Sequence, residues 1–342
     1  MDLRTGRWNG YKYYHKTMVT VGDCDPAYPA MRYIADRLEL NIEQRFWLAW
    51  LYACSYCSPT AYYMINEFPD FENVDTRRLQ SWWDNNKQKC LFQTDRLRVK
   101  TQNQIVKMFK SYRGLIKGSQ KQWFQSFILN SPGESYNKLY SYFSENLYYF
   151  GRFSLFLYLE SIHELTGLCI HPTGLDLKNA LSCTNGICYA CGKDNWVNDS
   201  GFTKEQYKYL SIKLKKLYEE LKIESSHIGI PCTYWNIETS LCAYKKLFWK
   251  KRYLGYYIDR QQEEIIKLQH AVKEGVDWSI LWDFRKEYFH RSFLGEFNGW
   301  TGIRPKQEHI FMKTGKLTEQ DIPVIEYKKS IDFGDVYSVY HA

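Results

Sequence analysis

The segment Trp235-Asn236-Ile237-Glu238-Thr239-Ser240-Leu241-Cys242-Ala243-Tyr244-Lys245-Lys246 is followed shortly by Arg252-Tyr253-Leu254-Gly255-Tyr256-Tyr257-Ile258-Asp259-Arg260. Together they crowd carboxylates, a thiol, cations and phenols into one stretch. Groups of these types can hold a phosphate by charge-assisted hydrogen bonds and take a proton from an amine. If 232–250 is helical, Glu238, Cys242 and Lys245 fall at i, i+4 and i+7 on one face, with Lys246 beside them. The same residues are equally suited to an interhelical ion-pair network, and the sequence leaves both arrangements open.

Two further clusters lie upstream. In Phe150-Gly151-Arg152-Phe153-Ser154 an arginine sits among aromatic rings and needs an anion, a carbonyl or a carboxylate such as Glu160. Ser182-Cys183-Thr184-Asn185-Gly186-Ile187-Cys188-Tyr189-Ala190-Cys191-Gly192-Lys193-Asp194 superficially resembles a phosphate-cradling loop. It fails that test, because five residues rather than four separate the glycines and Asp194 stands where Ser or Thr would hold magnesium. Asn185-Gly186 as an ordinary turn and Gly192 as a helix cap are the structural alternatives. Zinc-protease, serine-hydrolase and zinc-deaminase signatures are absent, which removes those enzyme classes. Cys54/Cys57 and Cys188/Cys191 have the spacing of zinc ligands. The first pair lies in an apolar run where i, i+3 spacing puts both thiols on one buried stripe, so no structural metal is expected.

The elements that must position these residues read as helices. The run 41–57 is apolar almost all round and predicts a central buried helix that Ser58-Pro59 ends or kinks. A helix over 74–86 starts from Asp75 and buries Leu79 and one of Trp82 and Trp83. Ile105, Met108, Phe109 and Tyr112 recur at helical spacing before a break near Gly118. Asn130-Ser131-Pro132-Gly133 reads as a turn, and helices over 134–149 and 151–165 are separated by Gly151. From 167 to 201 the pattern dissolves into a long irregular connection, the kind of segment that usually carries function. Thr203-Lys204-Glu205-Gln206 is a capping box that opens a helix burying Tyr207, Leu210, Leu214, Leu217 and Leu221. Helices over 253–274 and 277–291 follow. The tail from 300 onward predicts irregular structure with two short strands near 323 and 336. No alternation of strand and helix suggests a doubly wound sheet.

Composition bounds the partners. The 342 residues carry 46 Lys plus Arg against 38 Asp plus Glu, an excess of +8 that favours a polyanion. Basic clusters stand at 87–89, 96–100, 213–216 and 245–252, of which 213–216 reads as a solvated helix face. Aromatic residues make up 18%, enough for rings to line any binding site. No apolar run is long enough to span a bilayer and no signal-peptide stretch is seen, so reduced cysteines and an intracellular protein are expected.

Phe150–Ser154, Asn185–Asp194, Glu238–Lys245 and Arg252–Arg260, in this order and with this aromatic spacing, resemble the bacteriophage α-glutamyl/putrescinyl-thymine pyrophosphorylases, also called amino acid:DNA transferases. The likeness runs from about residue 20 to 300. Cys191 stands where the family more often has leucine, a packing change. The same likeness covers helical domains attached to hydroxymethyluracil DNA kinases, and without a phosphate loop this chain reads as a free-standing protein. The resemblance implies a mainly α fold similar to helix-hairpin-helix DNA glycosylases, as a helical domain over 1–300, one body or two lobes with the site near 167–201, and an extension over 301–342. It implies a late step of thymine hypermodification in phage DNA inside the host cytoplasm. There a pyrophosphorylated hydroxymethyluracil in the duplex, flipped from the stack, exchanges pyrophosphate for an amino acid or polyamine.

On that reading Arg152, Lys193, Arg252, Lys245 and Lys246 neutralise charge on the departing pyrophosphate. Glu238 or Asp259 takes the proton of the incoming amine, with Lys245 in the same catalytic group. Asn185, Gly186, Tyr189, Asp194 and Tyr256 hold the base, and Arg260 meets the carboxylate of an amino acid. Cys242 attacking first, through a covalent intermediate, is the alternative route. No cofactor is called for, and a divalent metal is left open. Two competing classes remain: a non-catalytic DNA-binding accessory protein, and a glycosylase using Asp259 or Asp176.

Overall fold

Caps and buried faces set the helix boundaries. The structure is a computed structural model that describes residues 6–249, 251–289 and 294. Among them the chain forms fifteen α-helices and no strand, a mainly α fold as the periodicity predicts. The first eight are α1 (Arg7–Thr20), α2 (Ala27–Arg37), α3 (Ile42–Ser55), α4 (Ser58–Glu67), α5 (Thr76–Asn86), α6 (Leu97–Thr101), α7 (Ile105–Leu115) and α8 (Gln120–Gln125). They are followed by α9 (Pro132–Asn146), α10 (Arg152–Thr166), α11 (Leu181–Ala190), α12 (Lys204–His227), α13 (Tyr234–Phe248), α14 (Tyr256–Ala271) and α15 (Ser279–Tyr288). No helix of the described residues is long and apolar enough to cross a membrane. The expected strands of the tail lie outside the described residues.

The described residues fall into two compact units. One takes them from Ala27–Pro172 and Glu263–Phe284, the other from Met1–Pro26, Thr173–Gln262 and Arg285–Ala342. In the former, α3 begins with a reciprocal cap: Asn41 accepts the Gln44 N–H while the Gln44 side chain accepts that of Asn41. Every residue from Phe46 to Ser55 is buried, and Trp47 stacks on Trp50 at 4.9 Å, which in turn stacks on Tyr112 of α7 at 5.3 Å. Helix α10 packs along α3. Several boundaries differ from the reading of the sequence. Tyr56, with φ of 52°, ends α3 in the left-handed region, and Ser58-Pro59 opens α4 rather than closing α3, since proline's missing N–H costs nothing in a first turn. Cys57 therefore leaves the α3 stripe and its thiol faces Glu264 at 3.6 Å. Both Trp82 and Trp83 are buried, not one. Ser131-Pro132 is likewise the start of α9, with Ser131 accepting the Glu134 N–H.

In the other unit α1, α11, α12 and α13 pack together. The Thr203–Gln206 capping box opens α12 as expected, and Leu210, Leu214, Leu217 and Leu221 form its buried stripe, with Tyr207 half-buried. Lys12 of α1 pairs with Glu220 and Glu224 of α12 at 3.0 and 2.6 Å, and Lys16 with Glu224 at 2.7 Å. The largest departure is α11, a helix within the connection predicted to be irregular. Its ten residues carry too few polar positions to show a helical period.

His15 of α1 is fully buried, and its Nδ1 meets the Ser240 hydroxyl at 2.8 Å, which also meets Tyr11 at 2.8 Å. Burial lowers its pKa from 6.5 to about 3. The folded ring therefore stays neutral where the unfolded one takes a proton. Stability is unaffected above about pH 6.5 and falls by about 1.4 kcal/mol per pH unit as pH drops from there towards 3. Urea unfolding at pH 7 and pH 4.5 is expected to show a loss of about 2–3 kcal/mol from this group. His15→Asn, whose amide can meet Ser240 from the Nδ1 position, removes that loss; an unchanged pH dependence in the variant refutes it.

Candidate functional site

Helices α11 and α13 approach closely because Gly186 faces the α13 backbone. A Cβ there would come 2.3 Å from the Leu241 carbonyl oxygen and 2.7 Å from its carbon. Backbone cannot yield as a side-chain tip can, so Gly186→Ala must push the helices apart. It is expected to cost about 1–3 kcal/mol in thermal unfolding and to lower activity, because the side chains below bridge the same two helices.

Along α13 the sequence-predicted face forms. Thr233 caps the helix through the Asn236 N–H, and Glu238, Cys242 and Lys245 follow at successive turns. Lys245 is only 4% exposed, yet among the described residues no carboxylate pairs with it. Its ammonium donates to Ser182 Oγ of α11 at 2.8 Å and lies 4.4 Å from the centre of the Trp249 ring. Ser182 Oγ lies 2.8 Å from Cys242 Sγ, so the lysine, hydroxyl and thiol form one hydrogen-bonded chain across α11 and α13. Burial pulls the Lys245 pKa below its usual 10.5, with Cys242, Asp199 and Cys183 opposing the shift and Lys246 adding to it.

One turn of α13 earlier, Thr239 donates to Asp25 at 2.5 Å. Tyr257, at the start of α14, is close to Cys242, Arg252 and Asp25, and burial pushes its hydroxyl above the usual tyrosine range. The Arg252 guanidinium lies 3.8 Å from the centre of the Tyr256 ring and donates to the Lys251 carbonyl at 2.7 Å. Its Nε is buried without a partner, and no carboxylate among the described residues pairs with it. Asp23, fully buried, holds this corner by accepting the backbone N–H groups of Gly255, Tyr257 and Ile258 at 2.8, 2.9 and 3.2 Å.

The chain matches the model of the amino acid:DNA transferase family over residues 19–253. The chain belongs to that family. A serinyltransferase of Salmonella phage ViI is similar to it, 25% identical over 299 residues that cover 80% of this chain and 71% of that protein. No solved structure matches it. The chain is thus an enzyme of DNA modification that transfers an amino acid to DNA.

The other residues singled out in this transferase have varied surroundings. Asn185 is fully buried, and its amide donates to the Asn198 carbonyl at 2.7 Å and accepts the Asn198 N–H at 3.2 Å. Both ends are engaged in fastening the 191–201 loop. Asn185 and Gly186 lie inside α11, not in a turn. Tyr189 stacks on Phe248 at 4.4 Å and accepts the Trp249 indole N–H at 3.0 Å. Asp194 pairs with Arg7. Glu238 is 7% exposed, and Asp259, 2% exposed, accepts the Tyr253 hydroxyl at 3.0 Å. Arg260 is half-buried in α14 and Lys246 half-buried beside Lys245. Arg152 opens α10 in the other unit, near Tyr136, with no carboxylate partner among the described residues; Glu160 instead accepts the Tyr28 hydroxyl.

Beyond Tyr189, an open pocket of about 310 Å³ is lined by Arg7, Trp8, Cys191, Tyr209, Lys213 and Lys216. Lys193 lies over Trp196 and Tyr209 at 5.4 and 5.9 Å, and Lys213 over Trp8 and Tyr209 at 5.9 and 5.3 Å. Lys213 is therefore a pocket wall, not the plain solvated face its cluster suggested. Ser182, Asp23, Thr239 and Trp249 were not singled out from the sequence as functional. Ser182 stood in a quoted motif, but only the α11–α13 contact shows what it bridges. No group of three or more His, Cys, Asp or Glu among the described residues could hold a metal ion.

Proposed function

We propose that this transferase acts on a pyrophosphorylated hydroxymethyluracil of double-stranded phage DNA, in the host cytoplasm, and replaces its pyrophosphate with an amino acid or polyamine. The observation that carries the reading is Lys245, a buried amine with no carboxylate partner among the described residues; Lys246 next to it and Arg252 near Tyr257 have none there either. An unbalanced set of cations suits a polyanionic leaving group, and an amine whose pKa burial lowers suits proton removal. Arg252 and Lys246 are assigned to the pyrophosphate, with Lys193 and Lys213 as further phosphate contacts. Tyr256, half-buried under Arg252, is assigned to the flipped base, with Tyr189 and Asp194 bordering it and Asn185 and Gly186 fixing α11 beneath.

Departure of pyrophosphate makes the exocyclic carbon, with its methide-like character, open to a nucleophile, and the acceptor nitrogen ends bonded to it. Lys245 removes a proton within the site, Glu238 receives the one the incoming amine sheds, and Arg260 meets the acceptor carboxylate. Asp259, under Tyr253, keeps the start of α14 in place. Because a relative is called a serinyltransferase, serine is the first acceptor to try.

The test is nucleoside mass spectrometry after incubating the protein with pyrophosphorylated hydroxymethyluracil DNA, serine, other amino acids and polyamines. The expected result is a new nucleoside bearing one acceptor, with one pyrophosphate released per adduct. Abasic sites would indicate a glycosylase. Binding in a gel shift with unchanged nucleosides would indicate an accessory protein.

A further inference from the structure

We infer that Cys242 is the nucleophile that first takes the base, activated by Lys245 through Ser182; this rests on the proposed substrate. Three observations carry it. The half-buried thiol is 2.8 Å from Ser182 Oγ, and Ser182 Oγ is 2.8 Å from Lys245 Nζ, so a proton can cross without any group moving more than a bond length. Among the described residues no carboxylate pairs with Lys245 to hold it as an ammonium, while the Trp249 ring at 4.4 Å accepts the charge when it forms. Ser182, in turn, is fixed in place by the Gly186 contact that brings α11 onto α13.

The chemistry balances in two displacements. The Cys242 proton passes to Ser182 as the Ser182 proton passes to neutral Lys245, leaving a thiolate and an ammonium bridged by the hydroxyl. The thiolate forms a C–S bond to the exocyclic carbon, and the C–O bond breaks with its electron pair leaving on pyrophosphate. The acceptor amine, arriving neutral, then forms a C–N bond to the same carbon while the C–S bond breaks back to thiolate. The new secondary ammonium passes its proton to Glu238, and the thiolate recovers its own from Lys245 through Ser182. A thiolate is a far stronger nucleophile towards carbon than an amine, and it leaves again without an external catalyst.

The charged and titratable groups facing this chain are Lys246, Asp199, Cys183, Tyr257, Arg252 and Asp25, and none of them replaces Lys245 as the proton acceptor bonded to Ser182. Two measurements separate the inference from the reading beneath it. The first needs no DNA: iodoacetamide labelling of Cys242, followed by peptide mass spectrometry across pH 6–9. Wild type is expected to react about tenfold faster near neutral pH than Ser182→Ala or Lys245→Met, and equal rates overturn the inference. The second is incubation with pyrophosphorylated DNA lacking any acceptor. Wild type is expected to release a burst of pyrophosphate and form a covalent protein–DNA species that Cys242→Ala lacks, both proteins melting alike. If Cys242→Ala transfers within twofold of wild type, the inference falls while the substrate reading stands. If wild type with acceptor releases no pyrophosphate at all, both fall.

Discussion

Replacing Lys245 with methionine is expected to lower amino acid transfer to DNA by about 10²–10⁴-fold, the range for removing a positioned acid–base group. The melting temperature should stay level or rise. Stability and activity part company here because Lys245 has no carboxylate partner among the described residues and is 4% exposed. A cation buried without an opposite charge costs free energy, and methionine fills a similar volume without that cost. The hydrogen bond to Ser182 is lost, but Ser182 keeps its contact with Cys242. The pH profile supplies a second readout. Since burial lowers the Lys245 pKa, the neutral amine appears at lower pH than in a free lysine, and transfer should rise with pH through that lowered value. In Lys245→Met this rising limb disappears. A variant that loses activity together with more than about 2 kcal/mol of stability would mark Lys245 as a packing residue instead.

Helices with a strong stripe or a cap were legible in the sequence. The Thr203–Gln206 box and the leucines of α12, the Asp75 cap of α5 and the all-round apolar run of α3 each carry their own local signal, and the fold follows them. Proline was the ambiguous mark. Ser58-Pro59 reads as an end or kink and Asn130–Gly133 as a turn, but both prolines open helices, because the same missing N–H that stops a helix is harmless in its first turn. Helix α11 was missed for a different reason. Seven of its ten residues are buried, including Asn185 and Gly186, so no polar face exists to reveal a period.

The candidate site was legible only as far as one helix extends. Spacing alone places Glu238, Cys242 and Lys245 on a common face of α13, and that face exists. What spacing cannot supply is the opposite helix. Ser182 lies 60 residues from Cys242 in the chain, and its partnership with Cys242 and Lys245 depends on how closely α11 approaches, which Gly186 permits. The same limit hid Asn185. An Asn-Gly pair reads as a turn that could present its amide to a base, whereas the fold turns that amide onto Asn198.

Asp23→Asn is the substitution expected to damage stability and transfer together, and it is the counterpart to Lys245→Met. Asp23 lies in no motif and follows α1 by only a few residues, yet its two oxygens accept three backbone N–H groups at the start of α14. These donors sit at the positive end of a helix and have no intrahelical acceptors, so an ionised carboxylate suits them doubly. Asparagine keeps the shape but turns an NH2 group towards at least one N–H, leaving donors opposed and buried. The cost is about 2–4 kcal/mol, read as a drop of roughly 5–10 °C in melting temperature. Gly255, whose φ of 86° makes the turn into α14, and Tyr257 are held by these bonds, and Arg252 lies over Tyr256 just before them. Freed, they no longer hold the cation where a leaving pyrophosphate would meet it. Transfer measured well below the variant's melting point should therefore fall by more than the unfolded fraction explains, chiefly through a lower maximal rate. If Asp23→Asn melts like wild type, the start of α14 is fixed by its packing and not by the buried carboxylate, and Arg252 would have to owe its position to the Tyr256 ring beneath it.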